Sequence, residues 1–88
     1  MITVILGYMA RYFSALRIYE MIEIVSNLKP IREQRKISQQ ELADISGISV
    51  RMIRYYESLD AMPSIINAYK LSQILEVPLD ELFPAVDR

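Results

Sequence analysis

Two guanidinium groups and two hydroxyls fall on one side of a short helical stretch in this 88-residue chain. Projected at about 100° per residue, Val50, Arg51, Arg54, Tyr55 and Ser58 lie together, and Met52, Ile53, Tyr56 and Leu59 lie opposite. A guanidinium is a planar, permanently charged fork of donors, so it suits phosphate oxygens or the paired acceptors on a guanine edge. A helix that is apolar on one face and carries two such forks on the other has the design of a reading helix.

The elements that must hold this helix are written into the same stretch, SQQELADISGISVRMIRYYE, from Ser38 to Glu57. Ser38 and Glu41 have the spacing of a capping box, with Ile37 and Leu42 as its hydrophobic staple. Ser49 opens a second helix in the same way, with Ile48 against Ile53, although Met52 stands where a box needs Glu or Gln. Between them Gly47 follows Ser46, and only a residue without a Cβ reaches the left-handed C′ conformation cheaply. The spacing predicts two short helices joined by a sharp turn, the second poorly covered.

The pattern Ser38-Gln39, Leu42-Ala43, Gly47, Ser49, Ile53, Glu57 resembles the helix-turn-helix of Cro/cI-type (XRE-like) transcriptional regulators. The resemblance runs from Leu28, Ile31 and Arg32 through Pro63-Ser64, Leu71, Leu75 and Val77 to Phe83. It implies an all-α, five-helix lambda-repressor-like DNA-binding domain, active as a dimeric repressor that reads a palindromic operator in the major groove. On that resemblance Val50, Arg51, Arg54 and Tyr55 are the base-reading positions. Gln39 resembles the family's phosphate-clamping residue, with Gln40, Ser49 and Ser58 as further phosphate contacts. Arg32 resembles the arginine that pairs with the glutamate closing the reading helix, here Glu57.

Composition narrows the classes. The chain has no cysteine and no histidine, which leaves a zinc or haem site almost nothing to use, so no metal or cofactor is expected. Apolar residues make up 52% and charged residues 24%, the balance of a packed globule. The net charge of −1 is uneven: residues 28–58 sum to +2 and residues 59–88 to −3, so the positive part coincides with the motif. The acids are scattered over helix surfaces rather than paired, and Gly7 and Gly47 are the only glycines, so neither acid–base machinery nor a phosphate loop emerges. The chain reads as a cytoplasmic binder with no membrane segment, not an enzyme.

Residues 1–27 form an N-terminal extension, 28–83 the helix-turn-helix domain and 84–88 a tail. Within the extension Ile2–Leu6 suits a short strand and Tyr8–Val25 a helix. That helix would expose Tyr8, Tyr12, Phe13, Leu16, Tyr19 and Ile22 unless it packs on the domain or pairs between subunits. Met9 and Met21 are alternative starts, which would make the segment an artefact. Asn27 is placed to cap a helix through Leu28 and Pro30 that ends near Lys36. Ser64 caps another to about Leu75, with a core stripe of Ile65, Ala68, Leu71, Ser72 and Leu75, and Ile66, Tyr69 and Ile74 outward. Leu79–Phe83 makes the last helix, with Asp80 and Glu81 at its positive end.

Two alternatives accompany this reading. Ser49-Val50-Arg51 and Arg54-Tyr55-Tyr56-Glu57 also look like the reading helix of MerR-type activators, but Leu28–Arg35 and Ser64–Phe83 fit the Cro/cI pattern instead. The other is a protein-interaction module on the same fold, as an antitoxin binds a toxin, served by the acidic C-terminal third.

Overall fold

A computed structural model describes residues 22–87. Five helices follow one another: α1 (Leu28–Gln34), α2 (Gln39–Ser46), α3 (Val50–Ser58), α4 (Ile65–Leu75) and α5 (Leu79–Leu82). This is the all-α, lambda-repressor-like architecture that the sequence resembles. Leu28, Leu42, Ile53, Leu71, Leu75 and Leu82 are each 0% exposed, so every one of the five helices contributes at least one side chain to a single core.

The helix starts follow the serines. Ser38, Ser49 and Ser64 each accept a hydrogen bond from the backbone N–H three residues on, at 3.0, 3.2 and 3.1 Å. Only the hydroxyl half of the Ser38–Glu41 box is made, since the Glu41 carboxylate forms no return bond to Ser38. Asn27 precedes α1 without capping it. Its amide nitrogen donates instead to the Glu81 carbonyl of α5 at 3.1 Å, a tertiary partner that outcompetes the local one.

The ends hold more surprises. Gly47 closes α2 at φ 73°, as expected, but Lys36 (57°), Leu59 (62°) and Glu76 (56°) also adopt the left-handed region. A Cβ makes that region unfavourable, so at these three sites the chain reversal between packed helices overrides local preference. α1 stops at Gln34, two residues before the expected end, and Lys36 supplies the turn.

Ile22–Ile24 is not part of a helix: it is a strand, β1, paired antiparallel with β2 (Ala85–Asp87), a segment whose sequence predicts only a tail. The ribbon continues through Val25 N–H to the Pro84 carbonyl (3.0 Å) and Asn27 N–H to the Leu82 carbonyl (2.9 Å). It ties the entrance of α1 to the exit of α5. The strand expected at Ile2–Leu6 and the rest of the Tyr8–Val25 helix lie outside the described residues.

In α4, Ala68, Leu71, Ser72 and Leu75 are buried, but Ile65 is 75% exposed because it sits in the first turn, beyond the edge of the core. Ile74, expected outward, packs partly against the core instead. Ile66 and Tyr69 are exposed, as expected.

Candidate nucleic-acid interface

The site begins with how α3 is fixed. Ile53 and Tyr56 are its buried residues, and Tyr56 Oη accepts a hydrogen bond from Asn67 Nδ2 of α4 at 3.1 Å. Gly47 N–H donates to the Ala43 carbonyl, and buried Ser46 Oγ accepts from Ile48 N–H at 3.1 Å, so both sides of the turn are satisfied internally. Ser46 is a stabilising residue of the turn that helical periodicity does not reveal, because its partner lies beyond the helix end.

Arg32 and Glu57 meet across α1 and α3. Arg32 Nε donates to Glu57 Oε2 at 2.7 Å and Nη2 to Oε1 at 3.3 Å, a bidentate contact between side chains only 10% and 6% exposed. Arg32 Nη1 donates to the Ile37 carbonyl at 2.9 Å, so all three guanidinium nitrogens are engaged within the chain. The hydrogen bond to Glu57 raises the Arg32 pKa above its ordinary value, against the opposing effect of burial.

Gln39 is half-buried beside this pair. Its Nε2 donates to Glu57 Oε1 at 2.9 Å, and its Oε1 accepts from Arg54 Nε at 3.1 Å. Arg51 instead donates its Nε to Tyr55 Oη at 2.9 Å, one helical turn along, with its guanidinium carbon 5.5 Å from the Tyr55 ring centroid. Arg51 and Arg54 are both exposed, and neither donates from Nη1 or Nη2 to any described residue. The result is one helix face bearing two exposed forks whose Nη1 and Nη2 are not bonded to any described residue.

The other expected contacts divide. Val50 is half-buried and packs against the core, so it offers an apolar edge rather than a free side chain. Tyr55 is half-buried and Ser49 exposed at the start of α3. Gln40 is exposed and donates to Asp44 Oδ1 at 3.0 Å. Ser58 is exposed and, like Gln40, already faces a carboxylate: its hydroxyl lies 2.7 Å from Asp60 Oδ2 and 3.1 Å from the Arg54 carbonyl. Asp60 lies in the loop after α3, and nothing in the spacing of the helix announces that contact.

No group of acids among the described residues could hold a metal ion, and none of the described helices is long and apolar enough to cross a membrane. A second surface feature lies away from α3: an open groove of about 570 Å³ between the end of α2 and α4, where Ile45, Ile65, Ile66 and Tyr69 are 56–75% exposed.

Two capped helices meeting at a left-handed glycine, the second buried on one face and cationic on the other, define a helix-turn-helix domain. The chain belongs to the helix-turn-helix family, whose match covers residues 28–82, and is of the Cro/cI (XRE-like) type. It is 41% identical over 63 residues to MJ1164 of Methanocaldococcus jannaschii, which carries the name of an HTH-type transcriptional regulatory protein; the match covers 68% of this chain and 20% of that protein. It is 36% identical over 55 residues to the cryptic phage CTXphi transcriptional repressor RstR of Vibrio cholerae, covering 59% of this chain and 49% of RstR. YqaE of Bacillus subtilis, an HTH-type transcriptional regulator by name, is 39% identical over 56 residues, 64% of this chain and 48% of YqaE. The chain thus spans about a fifth of the archaeal relative and about half of the other two.

Proposed function

We propose that the domain is a DNA-binding transcription regulator that acts in the cytoplasm and lays α3 in the major groove of duplex DNA. The observation that carries this reading is the pair of forks on Arg51 and Arg54, free at Nη1 and Nη2 among the described residues, on an exposed face whose opposite side is locked in the core. Val50 and Tyr55 complete that face with an apolar edge and a hydroxyl. Gln40 and Ser49, with the backbone N–H groups opening α2 and α3, supply phosphate contacts that set register without reading sequence. The regulator and repressor names carried by MJ1164 and RstR support the reading.

The same proposal includes a homodimer acting as a repressor on a palindromic operator, with the two α3 helices about 34 Å apart. The surface assigned to the second copy is the groove of Ile45, Ile65, Ile66 and Tyr69. These side chains are 56–75% exposed and form one contiguous apolar patch, a surface that a second copy would cover.

Binding to mixed-sequence duplex DNA at about 50 and 200 mM salt tests the reading. Each phosphate neutralised by a lysine or arginine contributes about 0.9 to the logarithmic salt slope, so four such cations lower affinity by roughly a hundredfold over that range. Affinity that is absent, or indifferent to salt, refutes it in favour of a protein-interaction module on this fold.

A further inference from the structure

The Glu57 carboxylate is the fixed point. It is 6% exposed and has no proton to give, so whatever touches it must donate. Arg32 supplies two donors, at 2.7 and 3.3 Å, and Gln39 Nε2 supplies the third, at 2.9 Å. A side-chain amide carries its NH₂ and its carbonyl oxygen on opposite branches. With the NH₂ turned inward to Glu57, Oε1 must face outward, where only a donor satisfies it. Arg54 Nε, 3.1 Å away on the exposed face of α3, is that donor.

We infer that Gln39 is a positioning residue that fixes Arg54 as the guanine-reading side chain of this domain, the orientation being passed outward from the buried Arg32–Glu57 pair. The inference rests on the reading of α3 as the DNA-contacting helix. With Nε held by Gln39, Arg54 keeps the end of its fork, Nη1 and Nη2, unbonded to any described residue on the exposed face, the edge that matches the O6 and N7 acceptors of guanine. Arg51 differs. Its Nε partner is Tyr55 on the same helix face, a half-buried residue with no further hydrogen bond to the core, so either side chain can turn away without disturbing a buried charge. Arg54 is the fixed reader and Arg51 the adaptable one. Gln39 Nε2 keeps a second hydrogen for a phosphate, and that role predicts a different result from the positioning role.

Two arms separate them. In the free protein, the Nε–H of Arg54 should exchange with water several-fold more slowly than an unbonded arginine Nε–H, and Gln39→Ala should abolish that protection while leaving those of Arg32 and Arg51 in place. Duplexes selected from a random pool by the wild-type chain should share a guanine whose preference, roughly tenfold, disappears in both Arg54→Ala and Gln39→Ala while preferences at other positions remain. Arg54→Lys, which keeps the charge, should lose the same preference with an unchanged salt slope. Gln39→Ala leaves the Arg32–Glu57 pair intact and should stay folded, and Arg54→Lys changes only an exposed residue. Unchanged Arg54 exchange in Gln39→Ala overturns the inference. So does an equal loss on every duplex with the salt slope unchanged, which makes Gln39 a neutral phosphate contact. A wild-type chain that selects no sequence overturns the DNA reading itself, and the guanine-reading role with it, even where the exchange arm behaves as expected.

Discussion

Removing one member of the Arg32–Glu57 pair leaves the other without its principal partner in a poorly hydrated position, and the two losses should differ. In Glu57→Ala the guanidinium keeps the Ile37 carbonyl at 2.9 Å and has Glu33, which is exposed, at 4.0 Å. Its long stem also lets the charge reach water. In Arg32→Ala the carboxylate keeps only the Gln39 amide at 2.9 Å, and the Ile37 carbonyl loses its side-chain donor as well. Breaking a buried pair costs about 3–5 kcal/mol, so Arg32→Ala belongs within that range, at about 4 kcal/mol, and Glu57→Ala at or below its lower end, about 2–3 kcal/mol, because the Arg32 guanidinium keeps other partners. A domain of this size has only about 5 kcal/mol to lose. Urea melts in the cold, with Arg32→Met and Glu57→Gln as gentler partners, keep the transition measurable. The double alanine variant should lose about 1–3 kcal/mol less than the two single losses added, because no charge is then left unpaired. Strict additivity, or a Glu57 loss larger than the Arg32 loss, would refute the reasoning.

Gly47 at φ 73° has nothing within 4 Å of where a Cβ would stand, so Gly47→Ala should destabilise through backbone strain alone, by about 1 kcal/mol; thermal melts would register it, and a loss of several kcal/mol would mean a clash instead. The converse holds at exposed Lys36 and Glu76, at φ 57° and 56°, where glycine should stabilise by roughly 0.5 kcal/mol once its greater unfolded entropy is deducted. Arg51→Ala should weaken operator binding by roughly 1–3 kcal/mol and relax preference at one base pair in a titration series, whereas an equal loss on all sequences would demote it to a phosphate contact. Ile66→Glu alters a residue 70% exposed, so stability should move by less than about 0.5 kcal/mol; sedimentation should show self-association weakened at least tenfold, and an unchanged dimer would place the interface elsewhere.

What the sequence determined by itself is whatever one or two turns of chain can encode. Ser38, Ser49 and Ser64 start helices because their hydroxyls reach backbone N–H groups three residues away, and Gly47 ends one because it lacks a Cβ. The apolar stripe of α3 and its opposite cationic face are likewise local, and the long spacing pattern placed Arg32 opposite Glu57 by resemblance. Tertiary structure decided whatever depends on partners distant in the chain. Ile22–Ile24 is a strand only because Ala85–Asp87 comes back beside it, and three-residue strands have no stability apart from what they join. Asn27 abandons its cap for a carbonyl on α5, and Lys36, Leu59 and Glu76 accept left-handed geometry because the helices they connect must reverse to share one core. Ile65 and Ile74 exchange expected roles because burial depends on where a neighbouring helix ends, which a helical projection does not contain. Gln39 shows the division most plainly: the resemblance singled out the residue, but that its NH₂ meets a carboxylate from α3 and its oxygen an arginine is an orientation that exists only once α1, α2 and α3 have met.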